Sequence, residues 1–263
     1  MAKKIGVLGS GTVAQILADG FVKHGYEVKM GTRDAKKLEE FAAKSGGKIA
    51  IGSFADAAAF GEIVVLAVKG KAAPDVLKRA GDAILKGKTI IDPTNPIEDA
   101  PPENGVLKFY SSLNRSQMEN LQAAYPEAHF VKAFSMIGGP HMVNPEFSAT
   151  PTMFICGNDP AAKKSVSGIL TQFGFEPEDM GAATAARAIE PLCRRRSVTT
   201  AARQEYAVSP RQSYATVLLL RAHRQSQAAC VRCRAVPETA LRSAGRLHTR
   251  PSAVKSPGCP LHC

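Results

Sequence analysis

The chain has 263 residues with 34 Lys and Arg against 23 Asp and Glu, a net charge of +11. That admits one large or two small domains and suggests a nucleic-acid or membrane partner until the charge is located. Residues 1–193 hold 21 basic and 21 acidic side chains, and residues 194–263 hold 13 and 2, so the excess lies in the tail; the body lacks the basic stripe of a nucleic-acid binder, and its apolar runs fall far short of the ~20 residues that span a membrane.

The first predicted strand, Ile5–Leu8, runs through Gly9-Ser10-Gly11-Thr12-Val13-Ala14 into a helical pattern over Thr12–His24. Gly9, Gly11 and Ala14 fit G-x-G-x-x-G/A in the strand–turn–helix setting that gives this fingerprint its meaning. Gly9 permits the sharp turn, and Gly11 lets the backbone approach a pyrophosphate. Ala14 lets the helix pack tightly with its first amides facing the phosphates. A bound dinucleotide is implied; a tight turn with no ligand is the alternative.

The second strand, Val28–Met30, leads into Gly31-Thr32-Arg33. NAD-binding folds usually carry Asp or Glu here, to accept hydrogen bonds from the ribose 2′-hydroxyl. Here Gly31 leaves room, Arg33 offers a planar fork suited to phosphate, and Thr32 adds a hydroxyl. Lys36 and Lys37 add positive charge one turn later. The pattern favours NADP over NAD. The competing reading is a solvated basic loop in which Asp34 caps the next helix.

Further along, helical patterns cover Ala35–Ser45, Phe54–Phe60, Pro74–Leu85, Ser116–Ala124 and Pro160–Phe173. Apolar strand runs cover Ile63–Val68, Thr89–Ile91, Phe130–Phe134 and Thr152–Cys156, with Lys48–Ile51 a short candidate. Strands that are continuous apolar runs mark a parallel sheet buried on both faces. Right-handed crossovers then give an α/β, doubly wound architecture with helices on both faces.

Ligands of such sheets bind beyond the carboxyl ends of the strands. Three ends stand out: Ala67-Val68-Lys69, Asp92-Pro93-Thr94-Asn95-Pro96 and Lys132-Ala133-Phe134-Ser135. Val68 suits an adenine or ribose face, and Lys69 is either a phosphate contact or an exposed loop lysine. Asn95, between two prolines, is either a nicotinamide or second-substrate contact or a turn residue. Asp92 reads as a partner for local backbone amides. Backbone groups around Ala133 could bond a nicotinamide carboxamide, and Phe134 reads as core. The Pro-rich excursion over residues 97–114 is expected to wall the crevice. His129 reads as structural, and His141 as a candidate proton donor. No Ser/His/Asp order, metal-ligand spacing or Walker lysine occurs in the body.

These strand-end motifs together resemble the NADPH-dependent coenzyme F420 reductase family. Its Rossmann domain is similar to the amino-terminal domains of pyrroline-5-carboxylate reductases and of STEAP metalloreductases. The resemblance covers about residues 4–192. It rests on Gly9-Ser10-Gly11-Thr12-Val13, Gly31-Thr32-Arg33, the Val65–Lys69 and Ile91–Pro96 segments, Val131-Lys132-Ala133-Phe134, Phe154–Asp159 and Ala186–Leu192. It implies phosphate contacts at Ser10, Gly11, Thr12, Val13, Thr32, Arg33 and Lys37. It also implies contacts nearer the nicotinamide at Val68, Lys69, Asn95 and Ala133. Family members pass hydride between NADP(H) and a flat F420 or flavin ring, which needs stacking more than a catalytic acid. No catalytic side chain is assigned here. The chain departs from the family in two places: Ser135 stands where Asn is usual, and an apolar final helix is replaced after Cys193 by Arg194-Arg195-Arg196.

Composition changes at residue 194. The body has 17 Lys and 4 Arg, and the tail has 1 Lys and 12 Arg, with no Asp or Phe. The tail is expected to bury too little apolar area to offset chain ordering, and its composition reads as translation from a shifted frame. Other readings are a basic arm for nucleic acid and a zinc site at Cys230-x-x-Cys233 with Cys259, His262 and Cys263. Two domains follow: 1–193, binding NADP, and 194–263, an Arg-rich tail of low order. Met1-Ala2-Lys3-Lys4 shows no secretory signal, and the body carries only Cys156 and Cys193, so a cytoplasmic protein is expected. Expected partners are a small-molecule redox acceptor and, as an open option, a second copy of the chain, with neither a membrane nor nucleic acid. A non-enzymatic NADPH sensor and an imine reductase stand as alternatives to the oxidoreductase.

Overall fold

The structure is a computed structural model that describes residues 3–193. The readings made for residues 194–263 lie outside the described residues.

Strands β1 (Lys4–Leu8), β2 (Glu27–Gly31), β3 (Ile49–Gly52), β4 (Ile63–Leu66), β5 (Thr89–Asp92) and β6 (His129–Lys132) form one sheet in the order β3-β2-β1-β4-β5-β6. Every neighbouring pair is parallel. The chain runs outward from β1 on one side, then returns to lay β4 on the other. The strand order therefore reverses between β1 and β4, the point where a doubly wound sheet opens a crevice.

Helices cover both faces. Helix α1 (Thr12–Lys23), α2 (Lys36–Lys44) and α7 (Pro160–Gln172) pack on one side through Leu17, Phe21, Leu38, Val166 and Leu170. On the other side lie α3 (Phe54–Phe60), α4 (Ala73–Ala80), α5 (Asp82–Leu85), α6 (Gln117–Ala124) and α8 (Ala186–Ile189), through Ala57, Leu77, Leu85, Met118 and Ile189. The burial of both sheet faces explains why strands such as Ile63-Val64-Val65-Leu66 are apolar at every position.

Two expectations change. The pattern over Pro74–Leu85 is two helices, because Gly81 between α4 and α5 adopts φ +94, a left-handed conformation that ends a helix. The run Thr152–Cys156 does not join the parallel sheet as a seventh strand. It forms β7 (Thr152–Ile155), paired in parallel with β8 (Glu176–Asp179), and touches β6 through a single antiparallel bridge, Lys132 to Cys156. That contact blunts the otherwise open β6 edge. Among the described residues no helix is long and apolar enough to cross a membrane.

Candidate functional site

A cleft of about 950 Å³ opens at the carboxyl ends of the sheet strands, within the ~300–1,000 Å³ range of ligand pockets. Eleven of the twelve sequence-predicted contact residues line it: Gly9, Ser10, Gly11, Thr12, Val13, Thr32, Arg33, Lys37, Val68, Lys69 and Asn95. Ala133 does not. It is fully buried, its amide donates to Asp92 O at 3.3 Å, and the next two residues, Phe134 and Ser135, reach the cleft in its place.

The glycine turn is built from β1 outward. Gly9 sits at φ +138, and a side chain there would strike Ala67 O at 2.2 Å and approach Ala14 Cβ at 3.3 Å. The two neighbours that exclude it are the β4 strand end and the small helix residue, as the motif requires. Gly11 differs: a Cβ there would meet nothing within 4 Å. Its small size serves the open cleft rather than the fold. Helix α1 starts at Gly11 with no side-chain cap, so its first-turn amides face the cleft without intrahelical acceptors. Gln15, which carried no sequence signal, steadies the turn by donating from Nε2 to Ser10 O at 3.0 Å.

At the end of β2, Gly31 makes room for α3 rather than for a ligand. A Cβ there would lie 2.9 Å from both Phe54 Cα and Ser53 O. The Thr32 hydroxyl accepts from Asp34 N at 3.2 Å, and Asp34 Oδ1 accepts from Lys36 N at 3.1 Å, so the loop is shaped by its own short side chains. Neither the Arg33 guanidinium nor the Lys37 ammonium has a hydrogen-bond or ion-pair partner among the described residues. Three strand spacings of about 4.8 Å separate β2 from β5. The strand ends that lead to Arg33 and to Asn95 therefore lie roughly 14 Å apart.

Opposite the sheet, the excursion over residues 97–114 walls the cleft with Ile97, Glu98, Asp99, Ala100 and Pro101. Lys69 pairs with Asp99 at 3.3 Å and Lys71 with Glu98 at 2.6 Å, tying the β4–α4 turn to that wall. Lys69 is thus an exposed ion-pair partner in this structure. His141 lies outside the cleft lining and packs on Phe147 with ring centroids 5.0 Å apart, so it gains no support as a proton donor.

Residues 4–96 match the family of NADP oxidoreductases described as coenzyme F420-dependent. The solved structure of a candidate F420-dependent NADP-reductase from Arthrobacter sp. FB24 is 32% identical. The match covers 73% of this chain and 90% of that one, with a TM-score of 0.67. This chain belongs to the F420-dependent NADP oxidoreductase family. It is also similar to metalloreductase STEAP3 of Rattus norvegicus, 30% identical over 192 residues, 73% of this chain and 36% of STEAP3. Human metalloreductase STEAP2 is 27% identical over 188 residues, 72% of this chain and 35% of STEAP2. The chain spans about a third of the length of these two relatives.

Behind the cleft of this family member lies a charged cluster that the sequence reading did not assemble. Lys132 is fully buried; its Nζ reaches Asp92 Oδ2 at 2.7 Å, Thr94 O at 2.9 Å and Glu190 Oε1 at 3.0 Å. Burial disfavours the ammonium, but the two carboxylates outweigh it and hold its pKa above the usual lysine value. Asp92 Oδ1 accepts from Thr94 N at 2.9 Å and Thr94 Oγ1 at 2.6 Å, the local role expected of it. Gln117 Nε2 donates to Thr94 Oγ1 at 2.6 Å and Tyr110 OH donates to Gln117 Oε1 at 2.5 Å. Glu190 also accepts from the Gln117 and Met118 amides at 3.0 Å, filling the start of α6. Burial, with Glu190 adding to it, pushes the Tyr110 hydroxyl up to about 12. Burial likewise pushes the Cys156 thiol up to about 12, so neither is a ready proton donor or nucleophile at neutral pH.

The same end of α6 carries a capping box in which Ser116 Oγ accepts from Glu119 N and Glu119 Oε2 from Ser116 N. Arg187 of α8 grips Glu119 through Nη2 and Nε, at 2.6 and 2.9 Å. The Arg187 hydrogen bonds, opposed by burial, hold the Glu119 carboxyl down from 4.5 to about 2. The folded chain therefore binds this proton less tightly than the unfolded chain. The stability it contributes is present above pH ~4.5 and is lost as pH falls toward 2. Glu119→Gln should lower Tm at pH 7 and flatten the decline of Tm between those limits, as read by scanning calorimetry at stepped pH.

Proposed function

We propose that this chain binds NADP(H) in the cleft and passes hydride between the nicotinamide C4 and a flat, flavin-like or F420-like acceptor. The observation that carries the reading is the pairing of an uncapped α1 start at Gly11 with the cations of Arg33 and Lys37, unpartnered among the described residues, all lining one cleft at the strand-order reversal. The residues present fit the cofactor: Gly11 leaves open space where a pyrophosphate approaches, and the α1 amides offer donors to it. Arg33 and Lys37 would hold a 2′-phosphate, Arg33 through its planar fork. Val68 would support the ribose, and Asn95, Phe134 and Ser135 would frame the nicotinamide end, with Ala133 acting only through the backbone it continues.

When bound, NADPH supplies the hydride. The chain's own part is to hold, orient and shield. Ile97, Pro101, Ile137 and Met142 give the cleft apolar walls suited to a planar ring. Such walls suit a transfer that depends on stacking distance. The reading assigns this work to residues 1–193, in the cytoplasm, and gives residues 194–263 no part in it.

Anaerobic titration with NADPH, followed by oxidation assays with F420, FMN and ferric chelates, tests the proposal. The expected result is tight NADPH binding and turnover of at least one of the flat-ring acceptors. Turnover of a ferric chelate alone would assign a metalloreductase instead. Binding without turnover would assign a nucleotide sensor, and no binding would end the reading.

A further inference from the structure

The Pro-rich excursion that walls the cleft is a hairpin. Antiparallel bridges pair Ile97 with Phe109 and Glu103 with Val106, and Glu98 N donates to Lys108 O at 2.8 Å. Its tip is Asn104-Gly105, with φ +49 and +79, the left-handed pair that closes a two-residue hairpin turn. The first arm carries more residues between the bridges than the second, so it bulges, and residues 97–101 of that arm line the cleft. Two ion pairs, Lys69–Asp99 and Lys71–Glu98, tie this arm to the β4–α4 turn. All four side chains are at least a third exposed, and such pairs are weak and screened by salt.

The inner attachment is of another kind. Tyr110, at the foot of the second arm, donates from its amide to Pro96 O at 3.0 Å and from its hydroxyl to Gln117 Oε1 at 2.5 Å. Gln117 is buried, and its Nε2 donates to Thr94 Oγ1 at 2.6 Å. Thr94 Oγ1 gives its own hydrogen to Asp92, so toward Gln117 it can only accept. The amide nitrogen must therefore face Thr94 and the oxygen Tyr110. Gly70 shows how close these parts lie: a Cβ there would stand 2.1 Å from Asn95 O, 2.5 Å from Gln117 Oε1 and 2.7 Å from Tyr110 OH. The β4–α4 turn, the β5 end, the hairpin foot and the start of α6 thus meet at one side chain. Neither Gln117 nor Tyr110 lines the cleft that the described residues form, yet Gly70, Thr94, Asn95 and residues 97–101 of the joined segments do.

We propose that Gln117 is the positioning residue of the cleft's hairpin wall. Its amide nitrogen holds the β5 end through Thr94, and its amide oxygen holds the hairpin through Tyr110. The length of this one side chain thereby sets the gap between the strand-end floor and the wall. The proposal rests on the reading of the cleft as a redox-nucleotide site, in which that gap must admit a flat acceptor at stacking distance. Transfer across such a gap is steep in distance, and a displacement of about 1 Å is enough for a ~100-fold loss.

Gln117→Met tests it, because it keeps the length of the side chain and removes both bonds. Turnover of FMN or F420 at saturating NADPH should fall about 10- to 100-fold, with KM for the acceptor raised. Affinity for adenosine 2′,5′-bisphosphate, read by calorimetry, should stay at the wild-type value. Tyr110→Phe, which removes only the hairpin's bond, should lower turnover by less. Glu119→Gln is the control for stability: it loosens the same end of α6 without touching Thr94 or Tyr110, so it should lower Tm and leave turnover unchanged. Hydrogen exchange supplies a readout that needs no activity. In Gln117→Met the Glu98 and Tyr110 amides should exchange about tenfold faster, while those of β5 do not. Wild-type turnover in both Gln117→Met and Tyr110→Phe, or a loss matched by Glu119→Gln, would overturn the proposal alone. Should Gln117→Met fail to fold, Tyr110→Phe decides in the same way. A wild-type chain that turns over no flat-ring acceptor would overturn the redox reading instead, and the exchange rates would then decide whether Gln117 holds the wall.

Discussion

Arg33→Glu should weaken NADPH binding about 100-fold while changing NADH binding only a few-fold. A charge-assisted hydrogen bond contributes about 1.5–3 kcal/mol, and 1.4 kcal/mol is a factor of ten in affinity. Loss of the guanidinium therefore accounts for about tenfold to a hundredfold, and the introduced carboxylate adds repulsion against a 2′-phosphate. Toward NADH the sign differs, because a carboxylate at this strand end can accept from two ribose hydroxyls. The substitution should leave the fold intact, since Arg33 is exposed and lies in a loop whose turn is set by Thr32 and Asp34. Paired calorimetric titrations with the two nucleotides check it. Equal losses for both would mean that Arg33 does not read the phosphate, and Lys37 would become the residue to test.

What was legible in the sequence follows from how local each signal is. The glycine turn, the continuous apolar strands and the Arg33 loop each lie within a dozen residues and carry their own periodicity, and the structure has them in the expected order. Strand β8 was not legible, because Glu176-Pro177-Glu178-Asp179 carries three carboxylates and a proline and is half exposed, with no apolar alternation to read. Gly31 was legible as a constraint but misread in cause: it is small because α3 starts against it, a contact made 22 residues later. Ala133 was expected at the cleft on resemblance, yet a strand end alternates its sides, and here the chain turns only at Phe134. The buried cluster was the least legible part. Lys132 meets Asp92 from 40 residues away and Glu190 from 58, and nothing in the composition of any one segment announces that an ammonium is to be buried.

That cluster should make Lys132 the most sensitive polar position in the domain. Lys132→Met is expected to destabilise the protein by about 3–5 kcal/mol, the cost of leaving buried charge uncompensated. At roughly 2–4 °C per kcal/mol for a domain of this size, Tm should fall by about 10 °C or more. The asymmetry of the site sharpens the expectation. Two carboxylates face one ammonium, so removing the cation leaves Asp92 and Glu190 opposed to each other, whereas Asp92→Asn leaves a balanced Lys132–Glu190 pair at 3.0 Å. Asp92→Asn should therefore cost clearly less than Lys132→Met. Glu190→Gln should also cost more than Asp92→Asn, because Glu190 additionally fills the first amides of α6 at Gln117 and Met118. The triple variant Lys132→Met, Asp92→Asn, Glu190→Gln should recover part of the loss, since neutral polar groups are cheaper to bury than unpaired charges. Urea denaturation of the five proteins checks the order. If Lys132→Met and Asp92→Asn cost the same, the cluster is held by packing and hydrogen bonds alone, and its excess negative charge has no energetic weight.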